Sequence, residues 1–208
     1  MVEELITKFY QETGKYGIVA AAYDTELFGH WWFEGVDWIK EVLRHLSQSE
    51  FVELTTASGF IKSHPPEDVL ALPESSWGLG GGHFTWQNAD TDWVWPMIHS
   101  AEVRMEKLVV RYPEADGPMK EILNQAAREL ILLQASDWPF LITTGQARFY
   151  AEKRFSEHVN RFQQLADIAE SGRHGRAALD LCHQLWELDK VFPDIDYRSF
   201  AEREGQAT

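Results

Sequence analysis

The stretch Gly17–Gly35, GIVAAAYDTELFGHWWFEG, changes character in its middle. Ile18 to Tyr23 is an apolar run of strand length, and it stops at Asp24, Thr25 and Glu26 before Phe28, His30, Trp31 and Trp32. A strand that serves only to be buried has no use for such an ending. Upstream, Val2, Leu5, Ile6, Phe9 and Tyr10 fall at helical spacing. Downstream, Val36, Ile39, Val42, Leu43 and Leu46 mark a second helix, and FVELTT (Phe51–Thr56) reads as a second strand. Helix, strand, loop, helix, strand is the cadence of a parallel α/β unit. Two βα units are too few to close a barrel or make a doubly wound sheet, so this region reads as the end of a larger sheet. ASGFIKSHPPEDV predicts a short helix stopped by Pro65 and Pro66.

From Leu72 to Asp92 periodicity is lost in LPESSWGLGGGHFTWQNADTD, a glycine-rich loop of the length that in a compact domain is functional or disordered. Helical stripes then follow: Met97, Ile98, Ala101, Met105, Leu108, Val109 and Tyr112; then Ile122, Leu123, Ala126 and Leu130. A third comprises Ala151, Phe155, His158, Val159, Phe162, Leu165 and Ala169, and a fourth Ala178, Leu181, Cys182, Leu185 and Leu188. YPEADGP and ESGRHG supply the breaks, and FPDIDYRSF makes an irregular tail with rings to dock. The expectation is an α/β segment followed by an all-α bundle.

The formal net charge of −14 over 208 residues argues against nucleic acid and against an anionic membrane surface. A neutral polar ligand is not repelled. Cys182, the only cysteine, sits in an apolar stripe and reads as a buried thiol in a reducing compartment. The N-terminal helix is acidic and unlike a signal peptide, and no apolar run spans a bilayer, so the expected location is cytoplasmic. Nine tryptophans are unusual, and seven of them fall between Trp31 and Trp95, near glycines and loops. Buried indoles need partners for their N–H groups, and indoles in loops suit the walls of a ligand site.

Active residues of parallel α/β proteins sit where strands end at their C-terminal edge. Asp24 and Glu26 hold that position; Asp24 is either a general acid desolvated by rings or a loop cap. His30 has no second metal ligand at a recognisable spacing, so no metal is expected. Trp77 and Trp86 flank Gly78, Gly80, Gly81 and Gly82 without the lysine of a phosphate cradle. They are either sugar-stacking indoles or pins that hold the loop. Asp137 and Trp138 precede Pro139, where the backbone is expected to leave α geometry; Asp137 either accepts from hydroxyls or caps the next segment. His158 reads as a satisfied core histidine, and Trp38 and Trp186 as packing.

AAYDTELFGHWWFEG, SSWGLGGGHFTWQN, DTDWVWPMIHSAE, QASDWPFLITTGQARFYAEKRFSEH and FPDIDYRSF together resemble the C-terminal part of glycoside hydrolase family 57, in its 1,4-α-glucan branching enzyme group. The resemblance runs from Gly17 to Phe200. It implies that residues 1–72 are the last βα units of an incomplete (β/α)7 barrel, 73–90 an active-site loop, and 91–208 an α-helical C-terminal domain. It implies retaining glycosyl transfer on α-1,4-glucan, as in glycogen synthesis, with no cofactor and with Asp24 as the acid/base. The tryptophans matching Trp77 and Trp86 line the glucan path, and Ser136–Trp138 face the active site. Glu26, His30 and Trp31 are expected as supporting or sugar-binding neighbours. The family's histidine–proline motif and its nucleophilic glutamate have no counterpart here. The missing barrel half is therefore expected in the same or a separate chain, and this chain by itself is expected to be inactive. An α-amylase-like hydrolase of the same family and a non-catalytic glucan-binding module are the alternatives.

Overall fold

The computed structural model describes residues 1–172 and 174–201, so the break expected at ESGRHG is described except at Arg173, and the helical region to Ala201. The chain divides into two compact units, Met1–Pro73 and Glu74–Thr208.

In the first unit, α1 (Val2–Thr13) ends on Gly14, whose left-handed φ of 67° lets its N–H close on the Tyr10 carbonyl. Helix α2 spans Gly35–Leu46 and α3 spans Ala57–Ser63. Thr56 caps α3 by accepting from the Gly59 N–H at 3.1 Å, and the helix stops two residues before Pro65.

The two expected strands, IVAAAY and FVELTT, are not strands. Among the described residues no β-ladder forms, and one isolated bridge joins Phe28 to Trp32. The sequence supplies strand-like composition, but a strand exists only when a neighbour takes its N–H and C=O groups, and no neighbour is present. The burial follows suit. Gly35 is the one buried residue of this unit, while Phe9, Ile18, Val19, Leu43 and Leu54 are all more than 40% exposed. The apolar faces that the pattern predicts are there without anything to cover them.

The second unit has the hydrophobic core. It is built from α4 (Val94–Arg111), α5 (Gly117–Leu133), α6 (Asp137–Thr144), α7 (Arg148–Ser171) and α8 (Arg176–Asp189). Helix α5 lies at the centre, packed against α4, α7, α8 and the 3₁₀ turn Tyr197–Phe200. The third stripe is buried along its whole length, Phe155, Phe162 and Leu165 being fully inaccessible. Truncating a phenylalanine in such a setting costs about 3–5 kcal/mol. In the fourth stripe Leu188 is 62% exposed, so the buried face of α8 is narrower than the periodicity suggests.

Helix α6 was not foreseen. Asp137 and Trp138 are its first residues, although Pro139 was expected to force them out of α geometry. The proline falls in the first turn, where a missing N–H leaves no intrahelical bond unmade, and helix packing overrides the local bias on the residue before it.

The tail is locked onto the bundle. The Tyr197 hydroxyl donates to the Tyr112 carbonyl at 2.5 Å and accepts from the Ala115 N–H at 3.0 Å. Arg128 donates to the Val191 and Phe192 carbonyls at 2.7 and 3.1 Å, and its guanidinium lies over Trp186, 4.6 Å from the ring centroid. The second of these carbonyls belongs to a residue with φ of 52°, so the arginine holds a turn that its own side chains disfavour. No helix among the described residues is long and apolar enough to cross a membrane.

Candidate functional site

Asp24 is extended (φ −61°, ψ 133°) and stands at the N-terminus of the 3₁₀ turn Thr25–Leu27. Its carbonyl accepts from the Leu27 N–H at 3.1 Å, but its side chain makes no cap hydrogen bond. The capping alternative is thus not realised, and the carboxylate is left unused. Asp24 is exposed, so the desolvation that the general-acid reading calls for is not supplied by this unit. Glu26 lies inside the 3₁₀ turn, so strand alternation does not align it with Asp24; it too is exposed.

The rings around this pair divide into two groups. Tyr23, Phe28, Trp38 and Trp32 form a contact chain, with centroids 5.6, 6.4 and 5.3 Å apart in order. They hold the turn in shape with the Gly29 N–H to Trp32 carbonyl bond of 2.9 Å. His30 and Trp31 stand outside this chain, 6.4 Å from one another, and Trp31 is 65% exposed. Nothing else among the described metal-binding side chains gathers round His30.

In the second unit the structure brings Trp77 and Trp86 together edge to face, with centroids 4.9 Å apart. Phe140 of α6, which the sequence did not single out, packs against Trp77 at 5.7 Å. The loop that carries them is closely tied. Asn88 Nδ2 donates to the Phe84 carbonyl and to Thr143 Oγ1, both at 2.8 Å, so the loop is anchored to α6. Buried Thr91 donates to the Trp86 carbonyl at 2.9 Å, and Thr85 accepts from the Leu79 N–H at 3.1 Å. Gly78 is there for space: a Cβ on it would lie 2.7 Å from Trp86 Cζ3 and 2.8 Å from Thr85 Oγ1.

The indole N–H groups separate the tryptophans by role. Those of Trp93, Trp95 and Trp138 are spent on the carbonyls of Asp90, Trp86 and Leu132 at 3.0, 3.1 and 2.8 Å. Those of Trp77 and Trp86 have no protein acceptor among the described residues, and Trp77 is 77% exposed. Trp77 and Trp86 therefore have faces and donors to offer a ligand, whereas Trp138 is half-buried and stacked on His158 at 6.2 Å. Asp137 is exposed at the start of α6 and is not joined to the Trp77–Trp86 pair by any hydrogen bond.

Beneath Trp138 lies a buried polar chain. His158 Nδ1 sits 2.7 Å from Glu129 Oε2, and Gln125 Nε2 donates to Glu129 Oε1 at 2.9 Å. The histidine is thus half-satisfied, because its Nε2 is buried without a partner. Glu129, His158 and Asp189 place ligand-type atoms within 4.8 Å of one another. Asp189, however, already binds Arg154 at 2.7 Å and Arg161 at 3.2 Å, and two guanidinium charges oppose a divalent cation there. Cys182 is buried as expected, and burial pushes its thiol up to about 12.

Comparison with known proteins follows the same course. The sequence profile described as 1,4-alpha-glucan branching enzyme, C-terminal, matches residues 97–200. The chain is 44% identical over 197 residues to the 1,4-alpha-glucan branching enzyme TK1436 of Thermococcus kodakarensis, which covers 94% of this chain and 29% of that protein. It is 34% identical over 194 residues to a probable 1,4-alpha-glucan branching enzyme of Mycobacterium tuberculosis, covering 90% of this chain and 36% of that one. Among solved structures, the family 57 branching enzyme of Pyrococcus horikoshii superposes with a TM-score of 0.80 at 41% identity, over 97% of this chain and 38% of the other. The α-amylase AmyC of Thermotoga maritima follows with 0.73 at 33% identity, over 97% and 37%. The chain spans about a third of the length of these relatives. It belongs to the 1,4-α-glucan branching enzyme group of glycoside hydrolase family 57, corresponding to the C-terminal part of those enzymes.

Proposed function

We propose that this chain is the C-terminal portion of a retaining 1,4-α-glucan branching enzyme, with residues 1–72 the end of its barrel, 73–90 an active-site loop and 91–208 the helical domain. The observation that carries the reading is the 44% identity to a branching enzyme across 94% of the chain. Asp24 is the acid/base. It protonates the glycosidic oxygen as that bond to the anomeric carbon breaks, while a glutamate from the rest of the barrel bonds to the same carbon. Asp24, now a carboxylate, then takes the proton of an acceptor glucan hydroxyl as that oxygen displaces the glutamate. The mechanism requires the two carboxylates about 5–5.5 Å apart, in a pocket that the rest of the barrel closes over the exposed Asp24. Trp77 and Trp86 stack on glucosyl rings; Glu26, His30, Trp31, Asp137 and Trp138 contribute further sugar contacts. The unpaired extended segments and uncovered apolar side chains of the first unit support this reading, since both ask for neighbouring strands.

An α-amylase-like hydrolase is the second reading, favoured by the 33% identity to AmyC. The two differ in whether a glucan hydroxyl or water attacks the covalent intermediate. The test is Asp24→Asn in the enzyme with its complete barrel, assayed on amylose for branch formation and for new reducing ends. Loss of both by about 10³-fold or more is the expected result; ordinary activity would remove Asp24 from the chemistry. New reducing ends without branches from the unmutated enzyme would favour hydrolysis.

A further inference from the structure

A polar chain runs through the helical unit, and each of its links has a fixed direction. Arg128 Nη1 donates to Gln125 Oε1, which turns the Gln125 amide nitrogen toward Glu129 Oε1 at 2.9 Å. The other carboxylate oxygen, Oε2, lies 2.7 Å from His158 Nδ1. A carboxylate only accepts, so Nδ1 carries a hydrogen and donates. The chain ends on the imidazole, whose Nε2 is buried without a partner.

Stability does not account for this arrangement. Glu129 and His158 are both inaccessible, and apolar side chains of similar volume would fill the place without desolvating a charge or orphaning a nitrogen. What the bond does is fix the ring. Turning the imidazole over would set a carbon against the Glu129 carboxylate, so one orientation is held. That ring lies on the Trp138 indole, with centroids 6.2 Å apart and planes 29° from parallel. The indole N–H is itself held by the Leu132 carbonyl at 2.8 Å. Trp138 is therefore gripped on its face from α7 and at its edge from the end of α5, while it stands in the first turn of α6 beside exposed Asp137.

We propose that His158 is a positioning residue: oriented by Glu129, it sets the plane of Trp138 and so the stance of the first turn of α6 toward a bound glucan. His158 is inaccessible and touches no sugar; it acts only through Trp138. A contact side chain holds its geometry when the groups behind it are locked by packing and hydrogen bonds, and the Gln125–Glu129–His158 chain supplies that lock. The assignment rests on the glucan reading of Trp138 above and adds to it the group that holds the contact, drawn from a helix that carries no other proposed site residue. A pair that served folding alone would couple to stability; a positioning pair couples to sugar affinity as well, through one indole.

The test is a titration of the full chain with maltoheptaose, followed by heat of binding, in the unmutated protein, Glu129→Leu/His158→Leu, Trp138→Ala and the triple variant, each checked by circular dichroism to be folded. The paired replacement is expected to weaken Kd by about three- to tenfold, the size of coupling between contacting residues. On the Trp138→Ala background it is expected to add less than about twofold. Equal weakening on both backgrounds, or an unchanged Kd in the paired variant, overturns the positioning role and leaves the glucan reading standing. In the unmutated protein, where no variant has to fold, the His158 ring resonances are expected to shift as maltoheptaose saturates the chain. Their silence at saturation also overturns the role. Absence of any binding by the unmutated chain at millimolar sugar overturns both.

Discussion

Glu129→Leu is the perturbation with the largest expected consequence for the helical unit. Both Glu129 and His158 are fully inaccessible, and the carboxylate accepts from His158 Nδ1 at 2.7 Å and from Gln125 Nε2 at 2.9 Å. Replacing Glu129 alone leaves two buried donors without acceptors, at about 1–3 kcal/mol each, so a loss of roughly 2–6 kcal/mol is expected. His158→Leu alone leaves a buried carboxylate short of one partner and costs about 3–5 kcal/mol. The pair replaced together removes charge and imidazole at once and leaves only the Gln125 amide wanting. The double variant is therefore expected to be at least about 2 kcal/mol more stable than the sum of the single losses. Urea unfolding followed by far-UV circular dichroism measures all three, and the transition reports the second unit because the buried core lies there. A cost below about 1 kcal/mol for Glu129→Leu, or simple additivity, would refute the view that these groups are paired in a water-free core.

Gly78→Ala should shift the tryptophan emission and weaken maltooligosaccharide binding without unfolding the bundle, because the new methyl occupies the space of Trp86 Cζ3. Asn88→Ala should do the same with a smaller shift, since it cuts the loop from Thr143; unchanged emission in both would show that the loop does not depend on these contacts. Cys182, at 5% exposure and with its thiol raised to about 12, should react with a thiol reagent at pH 8 roughly a hundredfold or more slower than in urea. Comparable rates would contradict its burial. The Arg198 guanidinium holds the Asp196 carboxyl down from 3.8 to about 2. A lowered carboxylate stabilises the fold fully above its unfolded value and loses that contribution as pH falls through the folded one. Asp196→Asn should therefore flatten the acid limb of the melting temperature between those values; an unaltered limb would sink the linkage.

The helical half was legible because its information is local. A stripe such as Ala151, Phe155, Val159 and Phe162 repeats at the helical period, and each turn hydrogen-bonds within itself, so the pattern needs no distant partner to become structure. Helix α6 escaped because it is short and opens with a proline in its first turn, where propensity and geometry point in opposite directions. The strands escaped for the opposite reason. IVAAAY has the composition of a buried strand, yet half of every strand is its neighbour, and composition does not say whether the neighbour is in the same chain.

The site divides in the same way. The motifs alone marked Asp24, Trp77 and Trp86, because a carboxylate after an apolar run and indoles beside glycines are visible as spacing. Only tertiary structure could separate Trp77 and Trp86, with unused N–H groups, from Trp93, Trp95 and Trp138, whose N–H groups are spent on carbonyls. The acceptor of an indole proton is set by which backbone folds against it, and the sequence carries no mark of that. By itself the sequence determined the family and the helical core, and it singled out the residues proposed to carry chemistry. The tertiary structure decided which polar groups are already satisfied, and hence which remain free to hold a substrate.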